Sequence, residues 1–363
     1  MKKIKVNLGD RSYDILTGAG AAAELPRVVK ALSFAGPIVV ITDKAVMKKT
    51  ARITAPVFRQ LPNEVLRVVV PQSERAKSLK VFQNTVYEIS SRTRTHCPLI
   101  VAVGGGVVGD LAGFIAATYR RGVLLVQIPT TLLAQVDSAI GGKTAIDLPE
   151  AKNLVGAFYQ PRAVLMDPKF LKSLPRSQVR NGMAEVIKYA VIGNRRFFDF
   201  LENNIDEIMS LKTERIERVV YECAAIKARI VERDERDTKG IRIALNFGHT
   251  LGHAVEAASG YSGRYSHGEA VAIGMILAGE IAVRLDMFSE TDLERMKNLI
   301  RKVGFPARIR GVSVKDIMNS YGYDKKFMSG VNRFVLPRKI GSVEIIEDIP
   351  VLLLRTVLRK YTE

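Results

Sequence analysis

Short β-branched and aliphatic runs alternate with helix-period segments through the first half of this 363-residue chain. Pro37–Thr42, Val65–Val70, Leu99–Val103 and Leu124–Ile128 are mostly continuous apolar runs rather than alternating ones. Strands of that kind belong to a parallel sheet covered by helices on both faces. Leu79–Thr93 reads as a helix between two of them. From about Leu174-Pro175 the texture changes. Apolar residues three or four apart dominate Arg176–Leu201, Thr213–Glu235 and Ala270–Leu285, which predicts long helices. Phe334–Pro337 and Ser342–Ile346, separated by Arg338 to Gly341, predict a small β-pair, and Val351–Lys360 a closing helix. The expected fold is an α/β N-terminal domain over residues 1–175 followed by a mostly α-helical C-terminal domain over 176–363.

Composition narrows the class. With 47% hydrophobic and 25% charged residues the chain suits a folded soluble protein. Its two cysteines, Cys97 and Cys223, lie far apart with no CxxC spacing, which fits a reducing cytoplasm. No apolar run reaches bilayer length, and the N-terminus has no signal core, so no membrane partner is expected. The formal net charge is +18, a balance that attracts anions of several kinds. Trp is absent and aromatic residues make up 7%, a poor base-stacking surface. Small anionic substrates are therefore expected in preference to nucleic acid.

Val101-Ala-Val-Gly104-Gly105-Gly106-Val-Val-Gly109-Asp110 runs a buried strand into glycines and then into an apolar helical pattern. Glycine lets backbone approach an anion, and a helix N-terminus offers unpaired N–H groups and a positive dipole end. Gly104, Gly106 and Gly109 satisfy a GxGxxG spacing in that strand–turn–helix context. The ordinary dinucleotide fold has this turn after its first strand, with an acidic ribose partner about twenty residues later. Here the glycines follow a later strand, Arg120-Arg121 lies beyond them, and the acidic residue, Asp43, ends an earlier strand. That arrangement predicts a nucleotide site of a different topology. Downstream, Thr130 and Thr131 follow a further strand, and Gly141-Gly142-Lys143-Thr144 adds amides, a hydroxyl and a cation. The phosphate loop of nucleotide hydrolases would need glycine where Asp137 stands.

Three of the four histidines fall between His249 and His267. His249 and His253 are spaced i, i+4 and share a face of a helix. Thr250 follows His249, so the segment is not the HExxH of zinc peptidases. Glu185, in the apolar stretch Gly182-Met-Ala-Glu185-Val-Ile-Lys188-Tyr189, is the candidate carboxylate ligand, because a buried carboxylate needs a cation. Three protein ligands would leave a metal position open to substrate. Lys152 beside Asn153, Lys188, Lys227, Arg242 and Lys325-Lys326 place cations in apolar company. With a metal they would suit a substrate that carries carboxylate and phosphate.

The blocks Gly104–Phe114, Pro129–Thr144, Lys152–Pro161, Ala184–Tyr189, Leu245–Thr250 and His267–Ala270 resemble those of the 3-dehydroquinate synthase family, in family order across roughly residues 37 to 340. The resemblance implies an NAD-binding α/β domain, a helical metal-binding domain with the active site between the two, and a cytoplasmic homodimer. It implies one NAD and one divalent metal, most often Zn2+, with Co2+ an alternative. The implied reaction converts 3-deoxy-D-arabino-heptulosonate 7-phosphate into 3-dehydroquinate and phosphate by transient oxidation, elimination, reduction and aldol closure. On the matching positions, Glu185, His249 and His267 are similar to the metal ligands. Asp137 and Lys188 correspond to residues that hold ring hydroxyls, and Lys227 and Arg242 to those that grip the carboxylate. Asn153, Asn246, Lys143 and Lys325 correspond to phosphate contacts, Arg121 to a residue reaching in from the other subunit, and His253 to a proton relay. Asp43, Glu74, Lys77, Gly105, Gly106, Asp110, Thr130, Thr131, Lys143, Lys152 and Ser173 resemble the cofactor contacts. Two positions depart from the pattern. Thr238 stands where many members have a glutamate, leaving Asp237 or Glu235 as the acidic partner of His253, and Ser73 replaces a glycine before Glu74.

Overall fold

In the computed structural model, residues 1–94, 96–260, 264–327 and 333–363 are described, with backbone alone for 323–327. The chain divides into two compact units, Met1–Gln178 with Thr213–Arg236 and Val179–Lys212 with Asp237–Glu363.

The first unit contains β1 (Lys2–Val6), β2 (Tyr13–Thr17), β3 (Ile38–Asp43), β4 (Val65–Val70), β5 (Leu99–Gly104), β6 (Leu125–Pro129), β7 (Lys143–Ile146), β8 (Val155–Phe158) and β9 (Ala163–Met166). Seven of them form one sheet in the order β1-β2-β9-β6-β5-β3-β4, parallel except for the β1–β2 pair. β7 and β8 pair antiparallel as a separate hairpin. The continuous apolar runs are β3 to β6, and β5 and β6 are buried along their whole length. Helix Lys44–Arg59 after β3 contributes Val57 and Phe58 to the apolar cluster on one face. Helix Gly106–Thr118 after β5 contributes Val108, Leu111 and Ile115 to the cluster on the other. From β3 the chain moves outward to β4, and from β5 it moves the opposite way to β6. Such a reversal opens a crevice at the carboxyl ends of β3 and β5, where open α/β sheets bind ligands. Asp43 ends one strand and Gly104 the other.

The second unit is mostly helical: the greater part of Arg176–Gly193, then Arg195–Met209, His249–Ala258, His267–Arg284, Glu290–Val303, Val314–Phe327 and Val351–Tyr361. A hairpin of β10 (Arg333–Lys339) and β11 (Ser342–Glu347) completes it.

Sequence periodicity and structure differ in places. β1, β2, β7, β8 and β9 were not expected. Arg176–Leu201 is two helices, because Asn194 leaves the helical conformation and its Oδ1 caps Phe197 N at 3.3 Å. Helix Thr213–Arg233 packs against β1 and β2 within the first unit, although it lies well beyond residue 175 in sequence.

Candidate metal centre and nucleotide cradle

In the second unit, Gly248 adopts φ +79° and starts helix His249–Ala258. A Cβ on Gly274 would lie 1.8 Å from Gly248 O, so helices His249–Ala258 and His267–Arg284 cross at a distance only glycine allows. His267 opens its helix behind a capping box in which Ser266 and Glu269 satisfy each other's backbone amides. Asn181 Oδ1 accepts from Gly268 N at 2.6 Å and ties that helix start to helix Arg176–Gly193. Glu185, on the same helix as Asn181, is fully buried.

These supports bring three ligand-type side chains together. Glu185 Oε1 lies 3.3 Å from His267 Nε2 and 3.4 Å from His249 Nε2. Ligands about 2.0–2.2 Å from a tetrahedral ion are about 3.3–3.5 Å apart, so this spacing matches a coordination edge. His249 Nδ1 is 3.1 Å from Phe247 O, and since a carbonyl only accepts, Nδ1 carries the proton. Nε2 then presents a lone pair to a carboxylate oxygen, an arrangement that calls for a cation between them. The donor set therefore fits a divalent metal.

Lys188 Nζ is ion-paired with Glu185 Oε2 and is itself buried. Burial pushes the Glu185 carboxyl up, but the adjacent Lys188 ammonium leads the opposing causes, and the carboxyl is held well below the usual carboxylate range. His253 has its ring 5.1 Å from that of His249 and 6.2 Å from that of His267. It is next to the ligand set but outside the triangle of donors. Arg242 is buried in the short turn Ile241–Asn246, and Asn246 at its end is exposed. The side chain of Lys325 lies outside the described residues.

In the first unit, Gly105 caps helix Gly106–Thr118 directly after β5. A Cβ on Gly106 would come within 2.8 Å of Ser138 Oγ, so the turn is closely backed. Thr130 N donates to Gly104 O at 2.8 Å, while Thr130 Oγ1 and Ser138 Oγ are buried without a hydrogen-bond partner among the described residues. Buried hydroxyls left unsatisfied beside a glycine turn fit a polar ligand there. Thr131 Oγ1 instead accepts from Ala134 N, and Ser173 Oγ donates to Phe170 O. Asp43 Oδ1 caps the next helix, accepting from Ala45 N at 2.8 Å and Val46 N at 2.9 Å.

Lys77, buried, donates to Asp110 Oδ2 at 2.7 Å and to Asn153 Oδ1, with Asp147 4.0 Å away. Burial pushes the Asp110 carboxyl up to about 6, with Lys77 opposing the rise. Glu74 is raised by burial too, against the pull of Lys77. Lys227 Nζ donates to Asp137 Oδ1 at 2.6 Å and to its carbonyl at 2.8 Å. Arg121, Lys143 and Lys152 are exposed. Glu235 is gripped by Arg11 at 2.9 and 2.8 Å and by Gln160 at 3.3 Å. Asp147 and Asn181 escaped sequence reasoning, since neither belongs to a recognisable spacing. Asp147 Oδ1 accepts from Asn153 N at 2.7 Å and so shapes the Lys77 cluster.

Ser73, immediately before Glu74, adopts φ 66° and ψ −171°. This region is essentially reserved for glycine and costs other residues about 1–3 kcal/mol. Ser73→Gly is expected to raise stability to urea by about 1 kcal/mol after allowing for the freer unfolded chain. An unchanged or lower midpoint would show that the turn is not strained.

Residues 67–181 match the family described as 3-dehydroquinate synthase N-terminal, and residues 182–327 that described as 3-dehydroquinate synthase C-terminal. The 3-dehydroquinate synthase of Acidithiobacillus ferrooxidans is 41% identical over 363 residues, covering 100% of this chain and 99% of the relative. That of Desulforamulus reducens is 44% identical over 355 residues, 96% of this chain and 97% of the relative. Among solved structures, 2-epi-5-epi-valiolone synthase from Streptomyces hygroscopicus subsp. jinggangensis, with NAD+ and Zn2+ bound, aligns with a TM-score of 0.88 at 25% identity over 98% of both chains. A 2-deoxy-scyllo-inosose synthase complexed with carbaglucose-6-phosphate, NAD+ and Co2+ aligns with a TM-score of 0.87 at 27% identity, over 99% of this chain and 100% of that one.

Proposed function

The chain belongs to the 3-dehydroquinate synthase family, and we infer that it converts 3-deoxy-D-arabino-heptulosonate 7-phosphate into 3-dehydroquinate and phosphate, using NAD and one divalent metal, Zn2+ or Co2+. The observation that carries this reading is the buried Glu185 facing His249 and His267, with Lys188 beside it. When bound, NAD exchanges a hydride and the metal polarises the oxygen at the carbon being oxidised. Ketone formation acidifies the adjacent C–H, and that acidity is what makes phosphate elimination feasible.

Glu185, His249 and His267 hold the metal in this assignment. Lys188 and Asp137 orient ring hydroxyls, and Lys227 and Arg242 bind the carboxylate, a guanidinium being suited to two parallel hydrogen bonds. Asn153, Asn246, Lys143 and Lys325 bind the phosphate. His253 carries a proton at its imidazole, close to the ligand set. Asp43, Glu74, Lys77, Gly105, Gly106, Asp110, Thr130, Thr131, Lys143, Lys152 and Ser173 hold NAD. The α/β unit, Met1–Gln178 with Thr213–Arg236, is assigned to the cofactor and to part of the substrate, and the helical unit to the metal and the rest of the substrate. A cytoplasmic homodimer, in which Arg121 of each copy serves the other, completes the reading. No helix among the described residues is long and apolar enough to cross a membrane.

The relatives named 3-dehydroquinate synthase are 41–44% identical, against 25–27% for the cyclases of other sugar phosphates. That gap favours the carboxylated substrate. The test is phosphate release from 3-deoxy-D-arabino-heptulosonate 7-phosphate by purified protein with NAD and Zn2+, followed together with absorbance of NADH. The expected result is one 3-dehydroquinate per phosphate and no net NADH. Accumulating NADH, or equal turnover of glucose 6-phosphate, would overturn the assignment.

A further inference from the structure

A cavity in the first unit, about 190 Å3 in volume, is lined by none of the residues given a catalytic or binding role above. It lies between helix Lys44–Arg59 and the sheet, and Val40, Val103 and Phe58 are its apolar walls. None of the residues assigned to NAD lines it.

The helix leaves this space open because its facing residues are small. Ala51 and Ala55 line the cavity with Thr50 and Thr54. Thr50 Oγ1 donates to Val46 O at 2.8 Å and Thr54 Oγ1 to Thr50 O at 3.2 Å, so both hydroxyls are satisfied by their own helix. The volume exceeds the roughly 150 Å3 of an engineered apolar cavity that takes up benzene, so one six-membered ring fits.

The rim is cationic. Arg67 on β4 lines the opening, its guanidinium 6.0 Å from the centre of the Phe58 ring. Lys44 and Lys48 do not line the cavity, but they precede the lining residues Met47 and Ala51 by three positions and so share that face of the helix. All three cations are exposed, and among the described residues none has a carboxylate within 4.0 Å. Helix Lys44–Arg59 contains no acidic residue. An apolar recess of one ring's size, lined by Arg67 and with Lys44 and Lys48 on the same helix face, is complementary to a small amphipathic anion.

We propose that this recess binds a monocyclic carboxylic acid, its ring against Val40, Val103 and Phe58 and its carboxylate on Arg67 with Lys44 or Lys48. The proposal goes beyond the cyclase reading and stands on separate residues. It also gives a role to part of the +18 charge that the reaction does not use.

The probe is 4-fluorobenzoate, followed by fluorine NMR on the full chain with NAD and Zn2+ added. Saturable binding at millimolar concentration or below is expected, with neutral 4-fluorotoluene at least tenfold weaker. Arg67→Gln is expected to weaken binding at least tenfold. Ala51→Leu, a substitution toward a good helix former at an exposed position, fills the recess and is expected to abolish it. Turnover of the sugar phosphate stays unchanged in both variants. Failure to saturate, binding undiminished in both variants, or displacement of the probe by NAD would each overturn the site. Absence of sugar-phosphate turnover in the unsubstituted protein that still binds the probe would instead count against the cyclase reading alone.

Discussion

Glu185→Gln is expected to abolish metal retention and lower turnover by at least about a thousandfold, the scale on which removing one well-placed electrostatic group acts. The carboxylate supplies the negative charge that two imidazoles lack, and it is fully buried with Lys188 as its ion pair. Glutamine keeps the shape and removes the charge. Lys188 is then buried opposite a neutral amide, and breaking a buried pair in this way costs about 3–5 kcal/mol. His267→Ala removes a ligand without stranding Lys188, so it is expected to lose metal and activity while keeping most of the stability. Metal content by mass spectrometry, urea unfolding and NAD titration on both variants separate the effects. One zinc per chain retained in Glu185→Gln would overturn the ligand assignment.

Gly274→Ala is expected to be the most damaging single methyl in the helical unit. Its Cβ would meet Gly248 O at 1.8 Å, a backbone atom that cannot swing aside. The two helices must separate, at a cost of about 3 kcal/mol or more, and His249 moves away from Glu185 with them. Gly322→Ala is the control, since Gly322 lies within helix Val314–Phe327 with nothing among the described residues within 4 Å of the added carbon. There alanine is expected to stabilise by up to about 1 kcal/mol through helix propensity. Thermal melts and zinc content check both. A Gly274→Ala protein with wild-type melting and bound zinc would mean that the helix crossing does not position the site.

Strands β3, β5 and β6 were legible because buried parallel strands must be apolar on both faces, and that produces unbroken runs, whereas β4, at the sheet edge, alternates in burial around Arg67 and was legible from its valines. β1, with Lys2, Lys3 and Lys5 in five residues, and the four-residue β7 and β8 carry no such run, and the run in β9, Ala163–Met166, is apolar and buried throughout but only four residues long. Helix Thr213–Arg233 was visible as a helix, but period 3.6 says only that one face is covered and not by which element. The ligand set was legible because three histidines and an acid in apolar sequence are chemically conspicuous. Its supports were not. Asn181, Ser266 and Asp147 act through single hydrogen bonds to backbone or to one side chain, and polar residues of their kind are common on any surface. Glu235, an acid near His253 in sequence, has partners that sequence distance could not show, Arg11 and Gln160, both more than seventy residues away.

The chain passes between the two units three times, after residues 178, 212 and 236. A ribosome making this protein therefore finishes β1 and β2 some two hundred residues before it makes the helix that covers them, Thr213–Arg233. Ile216, Val219, Val220, Cys223 and Ala224 are buried on that helix, so its late arrival leaves an apolar strip of the nascent sheet bare in the meantime. The sheet cannot be completed during synthesis as an early, self-sufficient body, and by then part of the helical unit, Val179–Lys212, has already emerged. The two halves of the enzyme are obliged to mature together, and a gene cut at the obvious composition boundary would encode neither.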